Sequence, residues 1–64
     1  MIIYSACKQT GLPKFFASLV DARQFGGMNA ELERIELSTP EDVAHMLNAV
    51  TDPGVKFIGR SEPI

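Results

Sequence analysis

The most regular pattern of hydrophobic and polar positions lies over residues 40–51. Four apolar side chains recur there at i, i+3, i+4 and i+7 spacing, which places them on one stripe of a helix: Val43, Met46, Leu47 and Val50. Ser38 or Thr39 can cap the first turn, and Pro40 suits its first position, where the missing N–H costs no hydrogen bond. Residues 52–54, Asp-Pro-Gly, form a stop signal. The pattern therefore predicts a helix over 40–51.

Three short runs predict β-strands. Residues 1–7 are rich in β-branched and aromatic side chains, and residues 55–58 form a second apolar run after the helix. Residues 31–37 alternate, with Glu33, Ile35 and Leu37 on one face and Leu32, Arg34 and Glu36 on the other. Strand, helix and strand follow one another with short connections, so a right-handed crossover is expected if the two strands run parallel.

Residues 12–28 fit two structures, and their sequence leaves both open. As a helix, they place Leu12, Phe15, Phe16, Leu19 and Val20 on one side. Pro13 suits the start of that helix and Gly26 a left-handed stop, but Arg23 falls inside the apolar stripe and Phe25 outside it.

The alternative is a strand over 14–21. It would pair Phe15 with Leu37 and Ala17 with Ile35, leaving residues 22–30 as a long loop containing both glycines. The aromatic and β-branched content favours this strand.

These elements predict a small single-domain α+β protein. One sheet of three or four strands would be packed by the 40–51 helix, with 12–25 either an extra strand or a second helix. The predicted core draws on the apolar faces of all these elements: Ile3, Phe15, Leu19, Ile35, Leu37, Val43, Met46, Leu47, Val50, Phe57 and Ile58.

Composition adds limits to this picture. A chain of 64 residues buries only about 60% of the surface that its unfolded form exposes. With one cysteine it forms no internal disulfide, and Cys7 and His45 are its only soft ligands, so we expect no metal and no cofactor. Extra support would come from self-association or a partner protein, unless the core suffices. No apolar run is long enough to span a membrane, and the lone cysteine without an export signal predicts a cytoplasmic protein.

Charge is distributed unevenly along the chain. Residues 1–30 carry three basic residues and one acidic residue, whereas residues 31–64 carry three basic and seven acidic residues. Nucleic-acid binding needs several basic side chains on one face, so direct contact with nucleic acid is not expected. The alternative is a weak nucleic-acid binder that uses Lys8, Lys14 and Arg23.

Two groups of residues are candidates for partner binding. The first is an acidic surface built from Glu31, Glu33 and Glu36 with Glu41 and Asp42, which would dock on a basic surface such as the nucleic-acid groove of a larger protein. The competing interpretation is a solvated strand face and an ordinary acidic helix start. The second group is Arg23, Phe25 and Met28, whose residue types are enriched at protein interfaces. Phe25 could instead fold back on the core.

No catalytic constellation is evident. Cys7 and His45 are the only nucleophile and base pair, but His45 falls on the polar side of the predicted helix and Cys7 ends an apolar strand. We therefore expect a non-enzymatic protein-binding module, a stoichiometric regulator or inhibitor of a larger complex such as phages or plasmids encode. The alternative is a small homo-oligomeric enzyme whose site between subunits uses Cys7 or His45.

Overall fold

The computed structural model describes residues 1–9, 11–52, 54, 55, 57 and 59–64. The described elements are four strands and two α-helices, which confirms the α+β class. In chain order they are β1 (Ile2–Cys7), β2 (Lys14–Phe16), α1 (Leu19–Gly26), β3 (Glu31–Glu36), α2 (Pro40–Thr51) and β4 (Arg60–Pro63), with a 3-10 turn at Gly27–Asn29.

The strands form one antiparallel sheet in the order β2-β1-β3-β4. Ile3 lies opposite Ile35, and Ser5 lies between Phe15 on β2 and Glu33 on β3. The strands that precede and follow α2, β3 and β4, are antiparallel neighbours, so the condition for the right-handed crossover considered from the sequence is not met. The connection from β3 through α2 to β4 is long enough to join either parallel or antiparallel strands, so its length does not predict the direction of β4.

Register partners share a face of the sheet, so the pairing defines two faces. The first, here called the α2 face, carries Ile3, Ser5, Cys7, Phe15, Glu31, Glu33, Ile35, Ser61 and Pro63. The second, here called the α1 face, carries Ile2, Tyr4, Ala6, Lys14, Phe16, Leu32, Arg34, Glu36, Arg60 and Glu62. The predicted alternation of β3 is confirmed, with Ile35 buried on one side and Arg34 half-buried on the other.

One helix packs against each face. On the α2 face, Ile35, Leu37 and Met46 are buried, and four half-buried side chains surround them: Ile3, Phe15, Val43 and Phe57. On the α1 face, Ala6 and Ala22 are fully buried. The core thus forms two thin apolar layers, one on each side of the sheet.

The predicted core is right at its centre and wrong at one position on α2. Leu47 is 54% exposed, although the sequence placed it in the apolar stripe. Leu19 and Val50 are half-buried, and Ile58 lies outside the described residues. The two buried alanines were not predicted, because their small side chains give a weak hydrophobic signal.

Residues 12–25 contain both of the structures that the sequence left open. A three-residue strand at Lys14–Phe16 is followed by a helix that begins at Leu19, where the Ser18 side chain accepts a hydrogen bond from the Asp21 N–H at 3.2 Å. The proposed pairing of Phe15 with Leu37 and Ala17 with Ile35 is wrong, as is a helix starting at Pro13. β2 pairs with its sequence neighbour β1, which needs only a short connection.

Gly26 and Gly27 have separate roles. Gly27, not Gly26 as predicted, has a positive φ of 70° and ends α1. Gly26 stays helical and allows close packing, because a Cβ there would collide with the Cβ of Ala30 and lie 3.6 Å from that of Ala6. The helix therefore approaches the sheet at a position where no side chain fits.

The last strand begins later than predicted. Val55 and Phe57 are not in a strand, while Lys56 and Ile58 of the predicted 55–58 strand lie outside the described residues. The described strand is β4, with the polar sequence Arg-Ser-Glu-Pro. The sequence pattern did not predict β4 because this strand is stabilised by its pairing with β3, in which Arg60 lies opposite Glu36 and Glu62 lies opposite Arg34.

Candidate functional site

The α2 face is covered at one end and open at the other. Val43 and Met46 of α2 pack near Ile3, Ile35 and Leu37, which fills the covered end. Toward the other end, a groove of about 690 Å³ lies between the sheet and the C-terminal part of α2. Its described lining residues are Ser5, Cys7, Leu12, Pro13, Phe15, Glu31, Glu33, Ile35, Met46, Ala49, Val50, Thr51, Phe57 and Ser61. We call this the α2-face groove.

The groove exists because the two central strands change character along their length. On the α2 face, Ile3 of β1 lies opposite Ile35 of β3, whereas Ser5 of β1 lies opposite Glu33 of β3. An apolar pair at Ser5 and Glu33 would continue the core. At this polar pair Glu33 is exposed whereas Ser5 is buried, and Leu12, at 72% exposure, lines the groove without being buried.

Glu31 and Glu33 give the groove a negative charge. Both are exposed residues of β3, and the groove's described lining contains no lysine or arginine. The salt bridges formed within the described part of the chain do not include either carboxylate. Among the described residues, the groove therefore combines apolar side chains with two carboxylates that form no salt bridge.

Among the remaining polar groups of the groove, the Thr51 hydroxyl donates to the Leu47 carbonyl oxygen at 3.1 Å. Ser5 is buried, with 6% exposure, and the described residues have no buried side-chain nitrogen or oxygen without a hydrogen-bond partner. The half-buried Cys7 Sγ lies 3.5 Å from the Lys8 carbonyl oxygen and 3.9 Å from that of Gly11, as a weak donor to each. These contacts hold the thiol near backbone acceptors.

The sequence-predicted acidic residues separate into three places. Glu31 and Glu33 line the groove, whereas Glu36 lies on the α1 face with its carboxylate 3.9 Å from the Arg60 guanidinium. Glu41 and Asp42 occupy the first turn of α2, where Asp42 accepts hydrogen bonds from the backbone. The acidic stretch is therefore not one continuous surface on the fold.

Phe25 folds back on the α1 face. Its ring centroid is 5.5 Å from that of Phe16, and the amino groups of Lys8 and Lys14 lie 4.3 and 5.1 Å from it, at cation–π distance. Met28 is fully exposed in the 3-10 turn, and Arg23 is exposed on α1. A partner role for these three residues stays a prediction, with Phe25 already half-buried by its neighbours.

The two residues of the alternative catalytic site are not linked by a described hydrogen bond. Cys7 lines the groove, whereas His45 is a half-buried residue of α2 that is not among the groove's lining residues. Across the described ranges, no group of three His, Cys, Asp or Glu side chains could hold a metal ion. None of the helices there has the length and apolar character needed to cross a bilayer.

Sequence reasoning named the two glutamates of the groove as candidates for partner binding but did not predict a groove. Leu12 was assigned to a helix stripe. Phe57 was assigned to the core, and it packs against the buried cluster as well as lining the groove. The sequence feature that could have indicated a groove is that Ser5 and Glu33, both polar, occupy strand positions on the α2 face, where a continuous core would have apolar residues. No family model matches this chain, and no curated protein or solved structure is significantly similar to it, so its function must be argued from this geometry.

Proposed function

We propose that this chain is a non-enzymatic protein-binding module that holds a larger protein in the α2-face groove and acts as a stoichiometric regulator or inhibitor. The observation that carries the proposal is the open end of the α2 face. There, a sheet floor with two exposed glutamates meets the apolar side chains of α2 and of the segment before β2.

The exposed area supports a missing partner. The chain exposes 4681 Å², compared with about 4,000 Å² for a monomeric protein of 7.0 kDa on the general scaling of surface with mass. Large apolar side chains in several parts of the described structure contribute to this area, and among them Leu12 is the one that lines the groove. A partner that covered the groove would remove apolar surface from water, which favours association.

The charge of the groove defines the partner further. Glu31 and Glu33 favour a partner segment that carries lysine or arginine next to apolar side chains. Complementary charge would increase the association rate and would be weakened by salt. A basic surface on the partner also fits a regulator of a larger protein that handles nucleic acid.

The test is affinity capture with charge-matched variants. A C-terminally tagged chain is incubated with nuclease-treated lysate of the source cell or its host, and retained proteins are quantified against the bait. Glu31→Gln with Glu33→Gln removes two negative charges from the groove. Asp21→Asn with Glu62→Gln removes two negative charges from exposed residues of α1 and of the α1 face, neither among the described lining residues of the groove, and serves as the charge-matched control.

The proposal predicts one stoichiometric partner that is retained by the wild type and the control, and depleted by the groove variant and at high salt. Capture that is equal for all three chains would contradict the groove as the binding surface. Absence of any stoichiometric partner, together with self-association on a sizing column, would instead favour the oligomeric enzyme alternative.

A further inference from the structure

The groove floor offers no backbone hydrogen bonds to an occupant. Its central strands β1 and β3 are each paired on both sides, β1 with β2 and β3, and β3 with β1 and β4. A segment entering as an extended strand would therefore bury backbone N–H and C=O groups without partners, which is costly. An α-helix satisfies its own backbone groups and avoids this cost.

The two edges of the sheet are also poor sites for an added strand. β2 has only three residues and follows directly after Pro13. On β4, the Ile64 N–H donates to the Leu32 carbonyl, so the alternation of an antiparallel ladder turns the nitrogens of Ser61 and Pro63 to the open side. Pro63 has no N–H to offer there, a common protection of edge strands.

We infer that the α2-face groove takes a basic amphipathic helix, an inference that rests on the proposed function and names the structure of the partner segment. The helix would lie beside α2 as a second helix on the same face of the sheet. A helix with its side chains is about 10–12 Å across and packs about 8–10 Å from a neighbouring helix, so one helix placed there would cover the exposed lining residues of the groove, Leu12, Glu31 and Glu33 among them.

The side chains of the groove define what that helix carries. Leu12, Phe15, Val50 and Phe57 accept an apolar stripe with residues at i, i+3, i+4 and i+7. Glu31 and Glu33 project from the same face of β3, so lysine or arginine residues next to the stripe would reach them. Leu12 is the most exposed of the apolar set and becomes the side chain that gains most burial.

The inference is tested with synthetic probes. A fluorescein-labelled Leu/Lys peptide of about 15 residues, with leucines at the four stripe positions, is long enough to form a helix on binding. A Leu/Glu peptide with the same pattern tests charge, and a Leu/Lys peptide with a central proline tests helicity. Anisotropy titrations of each probe with the full chain give dissociation constants, and circular dichroism gives the helicity of the bound Leu/Lys peptide.

Saturable one-to-one binding of the Leu/Lys peptide with a gain in helical signal is expected, and each of the other two peptides should bind at least about tenfold more weakly. Leu12→Ser should weaken binding of the Leu/Lys peptide, whereas Val20→Ser should leave it unchanged, because both residues are exposed but only Leu12 lines the groove. The Glu31→Gln, Glu33→Gln double variant should weaken it about tenfold, and the Asp21→Asn, Glu62→Gln control should not.

Equal binding of the proline-containing peptide would overturn the helix, and equal binding of the Leu/Glu peptide would overturn its basic character. No binding by any peptide would also overturn the inference. These peptide results can fail while the proposed function holds. If the wild type captures a partner and the Glu31→Gln, Glu33→Gln variant does not, the groove still binds a partner, but the bound segment is not a basic amphipathic helix.

Discussion

Met46 and Leu47 are adjacent residues of α2 that differ in their surroundings. Met46 is 8% exposed and lies in the cluster with Ile35 and Leu37, whereas Leu47 is 54% exposed. The helix therefore turns a narrower apolar stripe toward the sheet than the sequence pattern indicated. Because of this difference in burial, truncation of Met46 and truncation of Leu47 should change the free energy of unfolding by different amounts.

Met46→Ala is expected to reduce the free energy of unfolding by about 2–5 kcal/mol, because it removes a buried side chain and leaves a cavity. Leu47→Ala should change it by less than about 0.5 kcal/mol, since the removed surface is already largely in water. Urea unfolding followed by circular dichroism measures both values. Similar losses for the two variants would show that Leu47 is buried in solution, as in a self-associated chain.

Gly27 is a position where a side chain should strain the backbone. Its φ of 70° and ψ of −157° fall in a region that only glycine adopts without cost. Gly27→Ala should therefore lower the free energy of unfolding by about 1–3 kcal/mol. Gly54→Ala is the control, because Gly54 lacks a positive φ and a Cβ there would meet only the Asp52 Oδ1 at 3.4 Å.

Thermal unfolding of both glycine variants distinguishes strain from a general effect of alanine. A lower melting temperature is expected for Gly27→Ala and one close to the wild type for Gly54→Ala. If both variants matched the wild type, the left-handed end of α1 would not be required, and the tight connection from α1 to β3 would need another explanation.

At the scale of elements, α2 shows how local signals act together. Thr39 accepts a hydrogen bond from the Asp42 N–H at 3.2 Å, and the Asp42 carboxylate accepts from the Thr39 and Ser38 N–H groups at 3.2 and 2.8 Å. This capping box satisfies amides that the first turn leaves without helical partners. It resolves the choice between Ser38 and Thr39, which the sequence left open.

Thr39→Ala is expected to cost about 0.5–2 kcal/mol of stability, because the Asp42 N–H loses its side-chain acceptor. Ser38→Ala should have little effect, since Ser38 contributes its backbone N–H to the box and the substitution keeps that group. Chemical unfolding monitored at a helix-sensitive wavelength compares the two. Equal costs would mean that Ser38, not Thr39, caps α2 in solution.

The segment from β2 to α1 shows that hydrophobic periodicity does not distinguish a short strand from a helix that follows it closely. A three-residue strand is shorter than one helical turn, and it is followed after only two residues by an eight-residue helix. A window that spans both elements averages a period of two with a period of 3.6, so each interpretation explains part of it. The Ser18 cap was the local sign of the boundary.

At the scale of the whole molecule, the uneven distribution of charge along the chain places basic and acidic side chains on different faces of the sheet. Lys8 and Lys14 surround Phe25 on the α1 face, whereas Glu31 and Glu33 project from the α2 face. Glu31 and Glu33 share a strand face without an ion pair among the described residues, so their charges repel each other in the folded state. This gives a further test of the groove, made without any partner.

Glu31→Gln with Glu33→Gln should leave the free energy of unfolding unchanged or raise it by up to about 0.5 kcal/mol, because the removed charges repel each other. The expected combination is reduced partner binding with retained stability. Urea unfolding at low and high salt is the measurement, since salt should narrow any difference. A clear loss of stability in the double variant would assign the two glutamates a structural role instead.

The sequence by itself determined the α+β class, the whole of α2 and the alternating faces of β3. These features depend on interactions between residues close in the chain, namely helix caps, helical spacing and strand alternation. A single long and strongly periodic segment such as 40–51 carries enough of these signals to define its own ends.

The tertiary structure alone decided which strands pair, where Gly26 meets the sheet, and that β4 forms from a polar sequence. It also decided that Glu31 and Glu33 share a groove while Glu36 lies on the opposite face. These outcomes depend on contacts between residues far apart in sequence, whose energies no local pattern records. The groove belongs to this second group, because it is defined by what α2 leaves uncovered on strands that precede it in the chain.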